Sequence, residues 1–228
     1  MRRFSQFVVL FVALFAISAH AGQIIDRIVA TVNGHVILQS DWDDAVRFEA
    51  FMEGRPLGQV TDQDRGRALD RLIDQELLRE QSQGDAPQPP ADEVKQRIAE
   101  LQAQHGAATP SAWRVALASY GLDENALSSR VARDIATLRQ VEARLRPTVQ
   151  IDTQSIESYY RDQFLPKLRN AGAQEVPLAT VAGKIREILT EEKVSQLFSS
   201  WLHSLRAESK IHTSAATSSP PSTGGQGQ

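Results

Sequence analysis

Ile28-Val29-Ala30-Thr31-Val32-Asn33-Gly34-His35-Val36-Ile37-Leu38-Gln39-Ser40-Asp41 changes its period within a few residues. Up to Gln39 the run is rich in β-branched residues around Asn33-Gly34. That pair supplies the two positive φ values of a type I′ turn. The stretch Ile24 to Gln39 therefore reads as a β-hairpin. Val29 is expected to face Leu38 and Thr31 to face Val36 on one side, with Ala30 opposite Ile37 on the other. A lone two-stranded hairpin is marginal in water, so it needs helices or a third strand to pack on. From Ser40 the period turns helical. Ser40 is the expected N-cap, with Asp41, Asp43 and Asp44 in the first turn, where acids suit the helix dipole.

The rest of the chain is helical in pattern. Trp42, Val46, Phe48, Phe51 and Met52 mark the first helix, which ends near Gly54 and Pro56. Thr61 caps a second, in which Ala68, Leu69, Leu72, Ile73, Glu76 and Leu77 recur at three and four. Gly84 to Pro90 is a proline-rich connection, followed by a third helix through Val94, Ile98 and Leu101. Thr109-Pro110 is a cap followed by proline at the first helical position. The helix it opens holds Trp113, Leu117 and Tyr120. Asp123 caps the next, whose stripe of Leu127, Val131, Ile135, Leu138, Val141 and Leu145 forms one face. Ile151 to Leu165 carries Ile156, Tyr159, Tyr160 and Phe164. After a loop-like patch, Asn170 to Pro177, a last helix runs to Arg206. It is about 45 Å long at about 1.5 Å per residue, with Leu178, Val181, Ile185, Ile188, Leu189, Leu197, Trp201, Leu202 and Leu205 expected to point one way. Ile211 reads as the start of a short strand. The fold class is mainly α, with a small N-terminal β-hairpin and a long C-terminal helix.

The N-terminus has the pattern of a secretory signal. Arg2 and Arg3 precede the uncharged apolar run Phe7 to Ile17, and Ala19-His20-Ala21 fits a small-x-small cleavage site, so the mature chain is expected to begin at Gly22. The run is shorter than the roughly 20 residues of a bilayer span. Residues 1–21 carry two Arg and no acid, so cleavage takes the formal charge from −3 to −5. Such a chain has no general attraction for nucleic acid or anionic lipid. There is no cysteine, which excludes disulfides, thiol catalysis and thiolate metal sites. Thr213 to Gln228 is rich in Ser, Thr, Gly, Pro and Gln, the composition of a disordered tail.

Catalytic patterns are weak. Beyond the signal the histidines are His35, His105, His203 and His212. None stands in an H-E-x-x-H or comparable ligand spacing. There is no G-x-S-x-G elbow and no glycine-rich phosphate loop. Asp41, Asp43 and Asp44 point in different directions on a helix, which fits dipole compensation better than acid–base or metal chemistry. The sequence therefore points to no catalytic residue, no metal site and no cofactor.

In order and spacing, the pieces resemble the SurA-type periplasmic chaperones. Asp26 to Gly34 with Val36 to Asp41 is similar to the opening of SurA N-terminal domains, where a V-N hairpin leads to an S-D helix start. Ala68-Leu69-Asp70-Arg71-Leu72-Ile73-Asp74-Gln75-Glu76-Leu77-Leu78 resembles that family's second helix. Leu117 to Leu122, followed by the Leu127 to Leu145 stripe, resembles its helix pair. Trp201-Leu202-His203-Ser204-Leu205-Arg206 with Lys210-Ile211 resembles the C-terminal helix and strand that return to complete the domain. The likeness covers most of Ile24 to Ile211. In the family a parvulin-type prolyl isomerase domain usually stands where this chain has only Asn170 to Pro177, so no isomerase residue is carried over.

The resemblance implies a signal peptide (1–21), a helical chaperone domain (22–212) and a tail (213–228). The domain divides into an N-terminal part (22–146), a connector (147–172) and a returning helix and strand (173–212). It further implies a periplasmic, ATP-independent holdase without isomerase activity, whose partners are unfolded polypeptides, outer-membrane proteins among them, with no stable membrane insertion. Such a protein must expose apolar surface. The candidates are Tyr159, Tyr160 and Phe164, beside the missing domain, and Phe48, Phe51 and Met52 on the first helix. A different class fits the same pattern: an assembly module binding one dedicated partner, or forming a homodimer by exchanging the last helix.

Overall fold

The computed structural model describes residues 26–81 and 88–214. The signal segment 1–21, residues 22–25 and most of the polar tail lie outside the described residues, as does the first part of the proline-rich connection, to residue 87.

β1 (Ile28–Val32) and β2 (His35–Leu38) form the hairpin. Asn33 (φ 50°) and Gly34 (φ 93°) take the two left-handed positions the turn requires. Two of the three expected pairings hold and one differs. Ala30 faces Ile37 and Thr31 faces Val36, but Leu38 pairs with Ile28, not Val29. A bulge between Ile28 and Ala30 absorbs the extra residue, and it lets consecutive Val29 and Ala30 both be buried. The third strand that the hairpin needs is β3 (Ile211–Thr213), antiparallel to β1, giving the order β2-β1-β3. The Asn33 N–H donates to Lys210 O (2.9 Å) and the Lys210 N–H to Asn33 Oδ1 (2.8 Å), so the turn itself is held by the returning C-terminus. Thr213 and Ser214 belong to this sheet rather than to a tail: the Ser214 N–H donates to Val29 O at 2.9 Å.

Eight segments of α-helix follow among the described residues. α1 (Gln39–Met52) begins one residue before Ser40. Capping is done by the Asp41 carboxylate, which accepts from the Leu38 N–H (3.0 Å), while the Ser40 hydroxyl and N–H both donate to Asp26. Asp26 occupies the place the serine was expected to fill. α2 (Asp62–Gln81) has a reciprocal cap: the Asp64 N–H donates to Thr61 Oγ1 (3.2 Å) and the Thr61 N–H to Asp64 Oδ2 (2.8 Å). α3 (Ala91–Gln104), α4 (Pro110–Ser119) and α5 (Glu124–Leu145) follow, with Thr109 and Asp123 capping the last two. α6 (Thr153–Tyr159) passes through a π-helical turn (Tyr160–Phe164) into α7 (Leu165–Asn170). Ala171 to Pro177 then turns the chain into α8 (Leu178–Glu208). That junction is far shorter than the roughly 50 residues of a minimal domain.

The apolar residues of α8 do not point one way. Ile185 and Val194 are both buried, yet nine steps of about 100° place them on opposite sides of the helix. The N-terminal half packs on α6 and the π turn, and the C-terminal half on α2. Leu205 and the Arg206 guanidinium close the C-terminal end: Leu205 is buried with Val29, Val32 and Leu77, and Arg206 Nε donates to Asp74 (2.5 Å).

There are two main cores. One gathers Phe48, Phe51, Val94, Leu101, Trp113, Leu117, Leu127 and Val131 from α1, α3, α4 and α5. The other gathers Val29, Val32, Ile37, Leu69, Ile73, Leu77 and Leu205 from the sheet, α2 and α8. A small cluster of Ala45, Val46 and Ala68 couples α1 to α2 between them. None of the described helices is long and apolar enough to cross a membrane.

Candidate functional site

An open cleft of about 770 Å³ lies along the seam between the two cores. Its walls are β2, the first turns of α1, the middle of α2, the second half of α5 and α8 from Glu191 to Phe198. That volume falls in the range of ligand sites.

The apolar part of the wall follows from where helix partners run out. Leu127 and Val131 on α5 are buried against α1, α3 and α4. Leu138 continues the same face about 10 Å beyond Val131, past the buried residues of that core, and is 60% exposed on the cleft. Three residues later Val141 is buried again. Val36 on β2 faces Thr31 on the outer side of the ribbon and is 53% exposed, also on the cleft. Ile37 of β2, Leu72 and Leu78 of α2 and Val194 and Phe198 of α8 complete the apolar lining. Single surface leucines are ordinary; two large exposed apolar side chains on different walls of one cleft are more informative.

Six acids and three arginines also border the cleft. Arg79 is committed to Glu76 by two hydrogen bonds (2.8 and 2.6 Å), which hold the Glu76 carboxyl below its usual range. The Arg130 guanidinium lies 4.3 Å over the Phe48 ring. Burial pushes its pKa down, against the attraction of Asp134. Burial pushes the Asp134 carboxyl up, although its side chain still reaches solvent through the open side of the cleft. A second hollow, between α2, α3 and α5, shares Gln75, Leu78, Arg79, Arg133 and Thr137 with the first, so the groove continues past α2.

At the rim His35 stands over α2. Its Nδ1 is 3.7 Å from Glu76 Oε1 and its Nε2 3.9 Å from Glu80 Oε1. Among the described residues this is the group that could hold a metal ion. No sequence spacing announces it, because the histidine comes from the hairpin and the acids from a helix. Glu76, however, already binds Arg79, and Arg79 also reaches His35 Nδ1 (3.4 Å). Asn33 Nδ2 donates to Glu80 Oε2 (2.6 Å). The cluster as it stands ties the hairpin turn to α2.

The aromatic candidates fall elsewhere. Phe51 is fully buried, stacked on the His105 ring at 4.2 Å and edge-on to Tyr120, and Phe48 is 8% exposed in the same core. Neither offers surface to a partner. The helical stripe on α1 faces inward, as such stripes ordinarily do. Met52 is half-buried against that core. Tyr159, Tyr160 and Phe164 are half-buried at the junction. Tyr160 stacks on Phe164 (5.8 Å) and its hydroxyl donates to Val176 O (2.7 Å), pinning the turn before α8. Lys167 lies 5.9 Å over the Tyr159 ring. These three do not line the cleft. The residues that do, Val36 and Leu138 above all, were visible in sequence only as parts of a strand and a stripe.

No curated protein matches the chain at a significant level. The model of one protein family, the SurA-like N-terminal domain, matches residues 2–141. That span takes in the hairpin, the cap of α1, the α1–α2 pair and nearly all of α5. With a match over more than half its length, a mainly helical fold and a small sheet closed by the returning C-terminal segment, the chain belongs to the family of SurA-like N-terminal domains.

Proposed function

We propose that this protein is an exported, ATP-independent holdase of the periplasm, which binds apolar segments of unfolded polypeptides, outer-membrane proteins among them, in the cleft and has no prolyl isomerase activity. The observation that carries the reading is the pair of exposed apolar side chains, Val36 and Leu138, on two walls of one open groove. The family supports a chaperone-related role for the domain. The seven-residue junction Ala171 to Pro177 supports the absence of an isomerase insertion there. Contacts made by a groove of this kind are apolar and individually weak, so binding is promiscuous and of modest affinity, because the client gives up chain entropy on being held. Tyr159, Tyr160 and Phe164 are a second, smaller contact patch at the far end of α8.

The test is suppression of aggregation of a urea-unfolded β-barrel protein on dilution. Protection without nucleotide is the expected result. No protection at several-fold excess would end the proposal. Export is tested separately, by mass spectrometry of the periplasmic fraction, where a chain beginning at Gly22 is expected.

A further inference from the structure

The sheet has a free edge, and that edge borders the cleft. The order β2-β1-β3 leaves β2 with a neighbour on one side only. Val36 and Ile37 are consecutive, so their side chains leave the strand in opposite directions. Both nevertheless line the cleft, which requires the strand's edge to face it. The hydrogen-bonding direction of that edge is fixed by the other side of the sheet. The Asn33 N–H and Val29 O point to β3, so the odd residues of β1 serve β3 and the even ones, Ala30 and Val32, serve their partners Ile37 and His35. Val36, opposite Thr31, therefore turns its N–H and C=O away from β1 and toward the cleft. The edge is short on both sides: the Asn33-Gly34 turn closes one end, and the Leu38 N–H at the other is already held by Asp41.

We infer that the free edge of β2 is a strand-addition site, taking an extended client segment that pairs with Val36 while its alternate side chains enter the groove beside Leu138. The inference rests on the cleft being the client site and adds how the client lies in it. Charge selects the occupant. The lining carries six acids against three arginines; Asp44 is paired with Arg47, and Glu142 and Glu191 with Arg146, both arginines standing outside the lining, which leaves a small negative excess. The fitting segment alternates apolar residues with Lys or Arg, the pattern of a strand with one buried face.

The probe is a short fluorescein-labelled peptide alternating Tyr or Val with Lys or Thr, titrated into the full protein by anisotropy. Val36→Pro removes the one outward N–H and keeps an apolar side chain, at a position where an edge strand accepts proline. Val36→Ala keeps the N–H and removes most of the side chain. Strand addition predicts that Val36→Pro binds the probe about tenfold more weakly than Val36→Ala, the effect of a hydrogen bond lost with its register. Equal or tighter binding by Val36→Pro overturns the inference. Should Val36→Pro not fold, the same question is put to the unaltered protein with two peptides N-methylated at alternate positions. Loss of binding for one set only supports strand addition, and equal binding of both overturns it. Leu138→Gln separates the two levels: if it does not weaken the probe, the cleft reading itself falls, whatever Val36 does. A dimer in light scattering that Val36→Pro dissolves would assign the edge to a second copy and overturn the client reading of it.

Discussion

Replacing Leu138 with glutamine separates binding from stability more cleanly than any other change on the cleft. Leu138 leaves 60% of its surface in solvent. Fully burying a leucine is worth about 1.5–3 kcal/mol, so a client that covers the remaining three fifths gains about 1–2 kcal/mol from this side chain. Glutamine forgoes that gain and brings an amide that must be desolvated. The expected weakening is about 5- to 30-fold in Kd. Stability should stay within about 0.5 kcal/mol, because the site is exposed and glutamine is about as good a helix former as leucine. The assays are anisotropy or aggregation suppression for binding and urea denaturation for stability. Leu127→Ala on the same helix is the contrast: Leu127 is 1% exposed, and its truncation should cost about 2–5 kcal/mol of stability. Unchanged client protection by Leu138→Gln would refute the reasoning, as would a loss of protection that merely follows a loss of stability.

Two further outcomes follow from the frame of the fold. Leu205→Ala should lower the unfolding free energy by about 2–5 kcal/mol, since Leu205 is buried against Val29, Val32 and Leu77; a loss under about 1 kcal/mol in urea denaturation would show that the returning helix is not part of that core. Asp64→Asn should lower Tm at pH 7, with the difference closing in acid. The Thr61 N–H, the Thr61 hydroxyl and Arg55 hold the Asp64 carboxyl well below its usual range. Its stabilisation is therefore complete above the unfolded-state pKa of about 4 and is lost as pH falls through the lower folded value. A Tm difference that persists unchanged at pH 2 would contradict this.

Local chemistry was legible in the sequence, and long-range geometry was not. Asn33-Gly34 announced its turn because few other pairs tolerate two positive φ values. Thr61, Thr109 and Asp123 announced their helices because a cap is a contact within three residues. The register of β1 was missed by one position because a bulge at Val29 leaves no mark in a run of β-branched residues. The α8 stripe was read as one face because apolar spacing of three and four persists while the phase drifts by half a turn between Ile185 and Val194. Leu138 was read as one more member of the α5 stripe because periodicity records which side of a helix a residue is on. It does not record whether a neighbour is present there. The cleft depends on β2, α2, α5 and α8 meeting across the whole chain, a fact of tertiary structure alone.

The same absence of a neighbour explains why the groove is open without a mechanism to open it. Each core is closed by its own helices, and the seam between them is braced by ion pairs, one of which ends on Glu191 of the cleft wall. Arg146 at the end of α5 reaches Glu187 (3.0 Å) and Glu191 on α8, and Arg206 joins α8 to Asp70 and Asp74 of α2. Exposed ion pairs of this kind contribute about 0–1 kcal/mol each, so the frame rests on Leu77, Leu205 and their partners, with the arginines setting angle more than stability. A groove preformed in this way spends none of its binding free energy on rearranging the protein. What it gains from a client is a handful of apolar contacts and the outward N–H and C=O of Val36, offset by the ordering of the client chain. For the proposed holdase, the balance would favour complexes that form and dissolve on their own, so clients that leave by folding elsewhere would need no nucleotide for release.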